Sequence, residues 1–121
     1  MLNGVASRSN AVLTKSFDFA PRVIKLSRQL REQREFVLSD QLLRAGTSIG
    51  AQVEEAQAGQ SRKDFVSKMA IASKEAREAR YWLRLIQGSA IAGVDVRGAL
   101  EEVAELIRII TAIVKATSRA R

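Results

Sequence analysis

The sequence contains no cysteine and no histidine, and only one proline among its 121 residues. Without cysteine the chain can form no disulfide, no thiol nucleophile and no cysteine-based zinc site. Without histidine it has no imidazole general base and no Ser-His-Asp triad. The lack of cysteine also suits a reducing cytosol, so we expect a cytoplasmic protein. These absences remove most enzyme classes, and we predict a non-enzymatic protein without a cofactor or a bound metal.

Long apolar runs are also missing. No stretch of about 18 uncharged apolar residues occurs, so we expect no membrane-spanning helix. The first residues do not combine a charged segment with an apolar one, as a secretory signal would. Residues 1–15 are polar, small and aperiodic, and we predict a flexible leader there. We expect one domain over residues 16–118 and a frayed tail over 119–121.

The remaining composition favours helices. Ala, Leu, Ile, Glu, Lys, Arg and Gln predominate after residue 16, and these residue types have high helix propensity. Apolar residues recur at three- and four-residue spacings in four segments. These segments predict helices over residues 17–33, 37–58, 62–87 and 96–117. Four amphipathic helices of similar length with short connections predict an all-α, up-down-up-down antiparallel four-helix bundle.

Polar and special residues mark the predicted helix ends. Pro21 is expected in or near the first turn of the first helix, where its missing N–H does least harm. Gly88 is expected to end the third helix. The predicted N-terminal caps are Ser16 or Asp18 for the first helix, Ser61 for the third and Asp95 for the fourth.

Two glycines, Gly46 and Gly50, lie in the middle of the second predicted helix. Each costs about 1 kcal/mol relative to alanine in a helix interior. That cost suggests a packing reason, because small residues let two helix axes approach closely. The alternative is a kink, or a break into two short helices.

The third and fourth helices carry more apolar residues than a bundle core needs. We predict self-association through this surplus. The alternative is a broad stripe that faces the core, with Trp82 partly covered. The predicted interface residues are Ile71, Trp82, Leu85, Leu106, Ile109 and Ile113.

Positive charge is unevenly distributed along the chain. Lys and Arg number 20 against 13 Asp and Glu, for a net charge of +7. The excess lies in the first and third helices, and on the third it falls within an arc of about 120° at 100° per residue. Such stripes suit contacts with nucleic-acid phosphates. The candidate residues are Arg62, Lys63, Lys74, Arg77, Arg80 and Arg84, followed by Arg22, Lys25 and Arg28.

A basic stripe is also compatible with a solvated face whose charges pair along the helix, such as Lys74 with Glu78. No recognition-helix motif, zinc finger or aromatic platform for base stacking is apparent. Binding is therefore expected to depend on the nucleic-acid backbone and to have little sequence specificity.

Several short motifs carry a family resemblance. They include Phe19-Ala20 in the first helix, the run from Ser48 to Ala56 in the second, and Ile71 to Glu78 with Tyr81-Trp82-Leu83 in the third. With these motifs, residues 16–117 resemble the bacterial four-helix-bundle family of 23S rRNA intervening-sequence (S23-like) proteins. The accessory variability proteins of diversity-generating retroelements look similar.

The resemblance implies a ring-shaped homopentamer with a basic surface that binds RNA or DNA. It makes Lys74, Arg77, Arg80 and Arg84 the best nucleic-acid candidates. Our leading hypothesis is thus an oligomeric nucleic-acid-binding protein. The alternative is an oligomeric protein-interaction scaffold or accessory subunit, for example of a reverse transcriptase, without direct nucleic-acid binding.

Overall fold

Four α-helices form an antiparallel bundle in the computed structural model, which describes the backbone of residues 2–119 and the side chains of residues 8–119. The helices are α1 (Leu2–Glu32), α2 (Phe36–Gln57), α3 (Arg62–Ser89) and α4 (Arg97–Arg119). Each helix packs against its neighbours in the chain, and α1 also packs against α4. Over the described residues, the backbones of the diagonal pairs α1–α3 and α2–α4 stay more than 8 Å apart between Cα atoms. The predicted four-helix bundle is confirmed.

A single apolar core fills the bundle. Every helix contributes buried residues at three- and four-residue spacings, as an amphipathic helix requires. Full burial of a Leu, Ile or Phe side chain contributes about 1.5–3 kcal/mol. The largest fully buried side chains include Phe19, Leu30, Leu42, Ile49, Met69, Leu83 and Ile110. Within the part of the chain that the structure describes, no helix is long and apolar enough to span a bilayer.

Helix α1 begins at Leu2 rather than at Phe17. Val12 is fully buried in the core and Ser9 is also buried. The prediction of a flexible leader over residues 1–15 is therefore wrong for at least residues 8–15. At the other end, Arg119 belongs to α4. The last two residues of the predicted tail, 120 and 121, lie outside the described residues.

The extension of α1 changes the setting of Pro21, which lies well inside the helix and not in its first turn. Proline removes one backbone hydrogen bond, to the carbonyl four residues earlier. Phe17 carries that carbonyl. The side chains of Pro21 and Phe17 are both exposed, so the missing hydrogen bond lies on the solvent-facing side of the helix. Ser16 is buried and donates to the Leu13 carbonyl at 3.3 Å. Neither Ser16 nor Asp18 caps the helix, because α1 passes through both.

Gly46 and Gly50 bring α2 against α1. A Cβ atom on Gly46 would lie 2.7 Å from both Val23 methyl carbons, and one on Gly50 would lie 3.4 Å from the Ser16 carbonyl oxygen. Real Cβ atoms essentially never come as close as the first distance. The close-packing explanation is confirmed, and the alternative of two short helices is wrong, since α2 is continuous.

Two predicted helix ends are confirmed and one is wrong. Ser61 accepts a hydrogen bond from the Asp64 backbone N–H at 3.1 Å, and Asp95 accepts one from the Arg97 N–H at 3.1 Å. Gly88 does not end α3, which continues to Ser89. Ala90 follows in the left-handed conformation with φ 51°. A non-glycine residue thus provides the turn expected of Gly88.

The predicted interface divides into two groups. Leu106 and Ile113 are 1% and 0% exposed within one chain, so they belong to the core and their assignment to an interface is wrong. Ile109 packs against the same core. The broad stripe on α4 arises because this helix packs against both α1 and α3. Ile71 and Leu85 remain exposed, and Trp82 is half-buried.

Candidate nucleic-acid interface

Three basic residues of α3, Arg62, Lys63 and Arg77, border a groove between α3 and α4, which we call the α3–α4 groove. Its middle section, of about 250 Å³, is lined by Arg77 and Lys115 with Ala70, Ser73, Thr111 and Val114. Its end section, of about 560 Å³, is lined by Arg62 and Lys63 with Val66, Ser67, Thr117 and Ser118. Cations from two neighbouring helices therefore flank a floor of small side chains.

Most of the predicted α3 cations are exposed. Lys63, Lys74, Arg77 and Arg84 lie at the surface, and Arg80 is half-buried. Arg62 is exposed and has an interaction partner.

The two glutamates of α3 are drawn to the opposite side of the helix. Arg44 of α2 forms an ion pair with Glu78 and lies 3.6 Å, from Nη1 to Oε1, from Glu75. The Trp82 indole Nε1 donates to Glu78 Oε2 at 3.1 Å. Both carboxylates therefore face α2, away from the α3–α4 groove.

Apart from Arg62, the cations on this side of α3 and α4 form no ion pair with a described acidic side chain. Among the described side chains, neither a hydrogen bond nor an ion pair is made by Lys63, Lys74, Arg77, Arg80, Arg84, Arg108 or Lys115. The considered pairing of Lys74 with Glu78 does not form, because Arg44 and Trp82 occupy that carboxylate. The charge of these seven cations is thus not neutralised by any side chain over residues 8–119.

The basic residues of α1 lie elsewhere. Helices α1 and α3 are diagonal in the bundle, so the structure does not bring Arg22, Lys25 and Arg28 to the α3–α4 groove. Arg22 pairs with Glu102 of α4. A Cβ atom on Gly98 would lie 2.9 Å from Arg22 Nη1, so this glycine makes room for the guanidinium. Lys25 and Arg28 are exposed.

Sequence reasoning missed the contribution of α4. Lys115 lines the groove opposite Arg77, and Arg108 precedes it by seven residues, which places both on one helix face. That spacing was a readable signal. The spacing of Arg108 and Lys115 became informative once the structure showed that α4 packs beside α3.

Four of the acidic residues elsewhere form ion pairs, namely Asp40, Asp95, Glu102 and Glu105. Glu105 pairs with Lys15 at 3.2 Å, as Glu102 does with Arg22. Within the described chain, no three acidic side chains come together as metal ligands would. Hydrogen bonds from the Arg97 side chain and backbone lower the pKa of Asp95 from 3.8 to about 2.

Fold and surface together define a basic, all-α bundle with a groove along which Lys63, Arg77 and Lys115 have no acidic partner among the described residues. The family model of the 23S rRNA-intervening sequence protein matches residues 8–112. The chain belongs to this family.

A solved relative agrees with this assignment. It is the crystal structure of a protein with unknown function from the S23 ribosomal protein family of Bacteroides thetaiotaomicron. The two sequences are 42% identical, and the match covers 89% of this chain and 98% of the other, with a TM-score of 0.83. None of the curated proteins compared with the chain matches it.

Proposed function

We propose that the protein is a non-enzymatic, oligomeric nucleic-acid-binding protein that contacts phosphates along its α3–α4 groove. The observation that carries the proposal is that Lys63 and Arg77 on α3 and Lys115 on α4 line the groove without an acidic partner among the described residues. The family name, which refers to a 23S rRNA intervening sequence, supports a nucleic-acid partner.

The physical basis is the release of counterions. Each phosphate neutralised by a Lys or Arg frees condensed cations, which drives binding and makes it sensitive to salt. Cations already paired with carboxylates gain less from such a contact, because they must first lose the existing pair. Arg77, Arg84 and Lys115 have no such pair to lose, whereas Arg22 has one with Glu102.

Self-association is the second part of the proposal, and two exposed apolar stripes support it. Ile71 and Leu85 lie seven residues before and after Glu78, so the three residues share one face of α3. The ion pair of Glu78 with Arg44 shows that this face lies on the α2–α3 side of the bundle. Phe17, Ile24 and Arg31 also follow one another at seven-residue steps, so they share one face of α1. The Arg31–Asp40 ion pair shows that this face lies on the α1–α2 side of the bundle.

These two stripes flank α2 on adjacent sides of the bundle. Contact between two different surfaces of the same chain is heterologous and closes into a ring when the rotation permits. Adjacent sides of a bundle meet at roughly a right angle, which suits a small ring of roughly four or five copies. In such a ring α2 faces the axis and the α3–α4 groove stays on the outside.

A charge-reversal experiment tests the binding surface. The triple variant Arg77→Glu, Arg84→Glu, Lys115→Glu is titrated by fluorescence polarisation against a structured RNA at several salt concentrations. The matched control Lys25→Glu, Arg28→Glu, Arg34→Glu makes the same charge change elsewhere. We expect the first triple to lose at least about tenfold in affinity and the control to lose much less.

Two outcomes would overturn the proposal: no binding by the unmodified protein at low salt, or binding without a salt dependence. Equal losses in both triple variants would argue against the groove as the site. Light scattering of each variant verifies that the oligomer is unchanged.

The competing function is a protein-interaction scaffold or accessory subunit. The exposed Phe36 and Val37, at 44% and 72%, favour a protein partner near the α1–α2 turn. A scaffold would keep its protein partner and lack nucleic-acid affinity, so the same titration separates the two functions.

A further inference from the structure

The aromatic side chains lie away from the α3–α4 groove. Tyr81 and Trp82 contact each other edge to face at 5.1 Å between ring centroids, and Trp82 is tied to Glu78 on the α2 side. Phe65 packs against the core, and Phe36 lies beneath the Arg31 guanidinium. Over residues 8–119 no aromatic ring lines either section of the groove. Single-strand binders characteristically stack bases on such rings, and this groove offers none.

Hydroxyl groups line the floor of the groove instead. Ser67, Ser73, Thr111 and Ser118 lie along its two sections. Over the described side chains, their hydroxyls make no hydrogen bond within the chain, whereas Thr117 donates to the Ile113 carbonyl. Free hydroxyls can donate to phosphate oxygens and exchange hydrogen bonds with sugar hydroxyls.

The row of cations is as long as one turn of a double helix. At 1.5 Å per residue, the distance along α3 from Lys63 to Arg84 is about 30 Å. One turn of duplex DNA rises about 34–36 Å. A rigid row of this length suits a ligand whose phosphates are themselves held at fixed spacing, which a duplex provides and a flexible single strand does not.

We propose that the α3–α4 groove binds the sugar-phosphate backbone of a double-stranded nucleic acid, over about one helical turn, in preference to a single strand. This inference rests on the proposed function and narrows its ligand. Cations of α3 and α4 contact phosphates, and the hydroxyl floor allows the backbone to approach closely. Base identity is not read, because no aromatic ring of residues 8–119 lines the groove to stack on the bases.

The test compares three labelled probes with the full-length protein at one salt concentration. They are a 20-base-pair RNA duplex, a DNA duplex of the same sequence, and a 20-nucleotide RNA that cannot pair with itself. We expect at least one duplex to bind about tenfold or more tightly than the single strand. The two duplex arms identify which sugar the groove prefers, and either preference supports the inference.

The failures of the inference and of the proposed function are distinguishable. A single strand that binds as tightly as both duplexes would overturn the duplex inference and leave nucleic-acid binding standing. No affinity for any of the three probes would overturn the proposed function itself.

A groove-filling variant locates the duplex on the protein. Ser73→Leu places a larger side chain on the groove floor, and Thr14→Leu makes the same change at an exposed position of α1. We expect Ser73→Leu to lower duplex affinity about tenfold and Thr14→Leu to leave it unchanged. Thermal melting confirms that both variants fold, and equal duplex affinity of the two variants would contradict the assigned groove.

Discussion

Arg44 in α2 forms an ion pair with Glu78 in α3 and thereby holds that carboxylate on the α2 side of the bundle. Glu75 faces the same guanidinium. An exposed pair of this kind adds little stability, typically 0–1 kcal/mol. Its larger effect is on the surface charge of α3, since the arginines facing α4 keep their charge unopposed.

Removal of this pairing should weaken nucleic-acid binding without removing a phosphate contact. In Arg44→Gln, Glu75 and Glu78 lose their cationic partner and Glu78 keeps the bond from Trp82 Nε1, so Lys74 can compete for Glu78 four residues away. We expect about a two- to threefold loss of RNA affinity and little change in melting temperature. Arg8→Gln, which removes the same charge from an exposed position of α1, is the control. Equal losses in the two variants would show that only net charge matters.

Gly46 should not tolerate alanine, whereas Gly88 should. The added methyl of Gly46→Ala meets Val23 at 2.7 Å, and overpacking of this kind costs about 1–3 kcal/mol. Gly88→Ala meets nothing within 4 Å, so it should gain up to about 1 kcal/mol from helix propensity. Urea denaturation of both variants measures the difference. A stabilised Gly46→Ala would contradict the close approach of α1 and α2.

Ser27 and Ser39 form a buried pair in which each side chain is hydrogen-bonded to the other residue. Ser39 Oγ donates to the Ser27 carbonyl at 2.9 Å, and the two hydroxyl oxygens lie 2.5 Å apart. Either single change to alanine should cost about 0.5–1.5 kcal/mol, because the remaining hydroxyl loses the bond to its hydroxyl partner and keeps only the bond to a backbone carbonyl. The double variant should cost less than the sum of the two. Additive costs in denaturant titrations would show that the two hydroxyls act independently.

Asp95 should give acid unfolding a specific dependence on Arg97. Its pKa is lowered to about 2 in the folded protein by Arg97, so the contribution of this group is fully present above about pH 4. The contribution is lost as pH falls through the folded pKa. NMR titration should show the low pKa, and Arg97→Gln should return it toward 3.8. An unchanged titration in Arg97→Gln would contradict the assigned cause.

Leu106 and Ile71 should respond differently to alanine. Leu106 is buried within one chain, so Leu106→Ala should cost about 2–5 kcal/mol at any protein concentration. Ile71 is 37% exposed, and Ile71→Ala should mainly affect the concentration-dependent part of stability. Melting curves over a hundredfold concentration range separate the two. A concentration-independent loss for Ile71→Ala would remove this residue from the proposed interface.

The helices were predictable because their core positions repeat at helical spacing, and α3 and α4 were placed almost to the residue. Serine residues made the early start of α1 hard to recognise in the sequence. Ser9 and Ser16 occupy buried positions at a seven-residue spacing, and they are read as polar in a sequence. Only Val12 and its neighbour Leu13 remained to indicate a core-facing stripe, which was too little to distinguish a helix from a leader.

The sequence predicted the α3 side of the candidate site but not the α4 side. The arc of cations on α3 follows from the geometry of a single helix, so it could be projected from the sequence. The partners of Glu75 and Glu78, and the position of Lys115 opposite Arg77, depend on which helix lies on each side. Those neighbours are fixed by packing and not by local spacing. For the same reason Leu106 and Ile113 looked like surplus apolar surface until α4 was seen between α1 and α3.

The order of the helices around the bundle also bears on the folding kinetics. Three of the four helix–helix seams join segments that follow each other directly along the chain, and only the α1–α4 seam joins distant ones. Closing short loops costs less entropy than closing long ones, and chains dominated by local contacts fold quickly. The helical hairpins can therefore assemble before the bundle closes. The α1–α4 seam, where Lys15 meets Glu105 and Arg22 meets Glu102, joins the packed helices that are farthest apart along the chain and therefore has the largest single loop-closure cost.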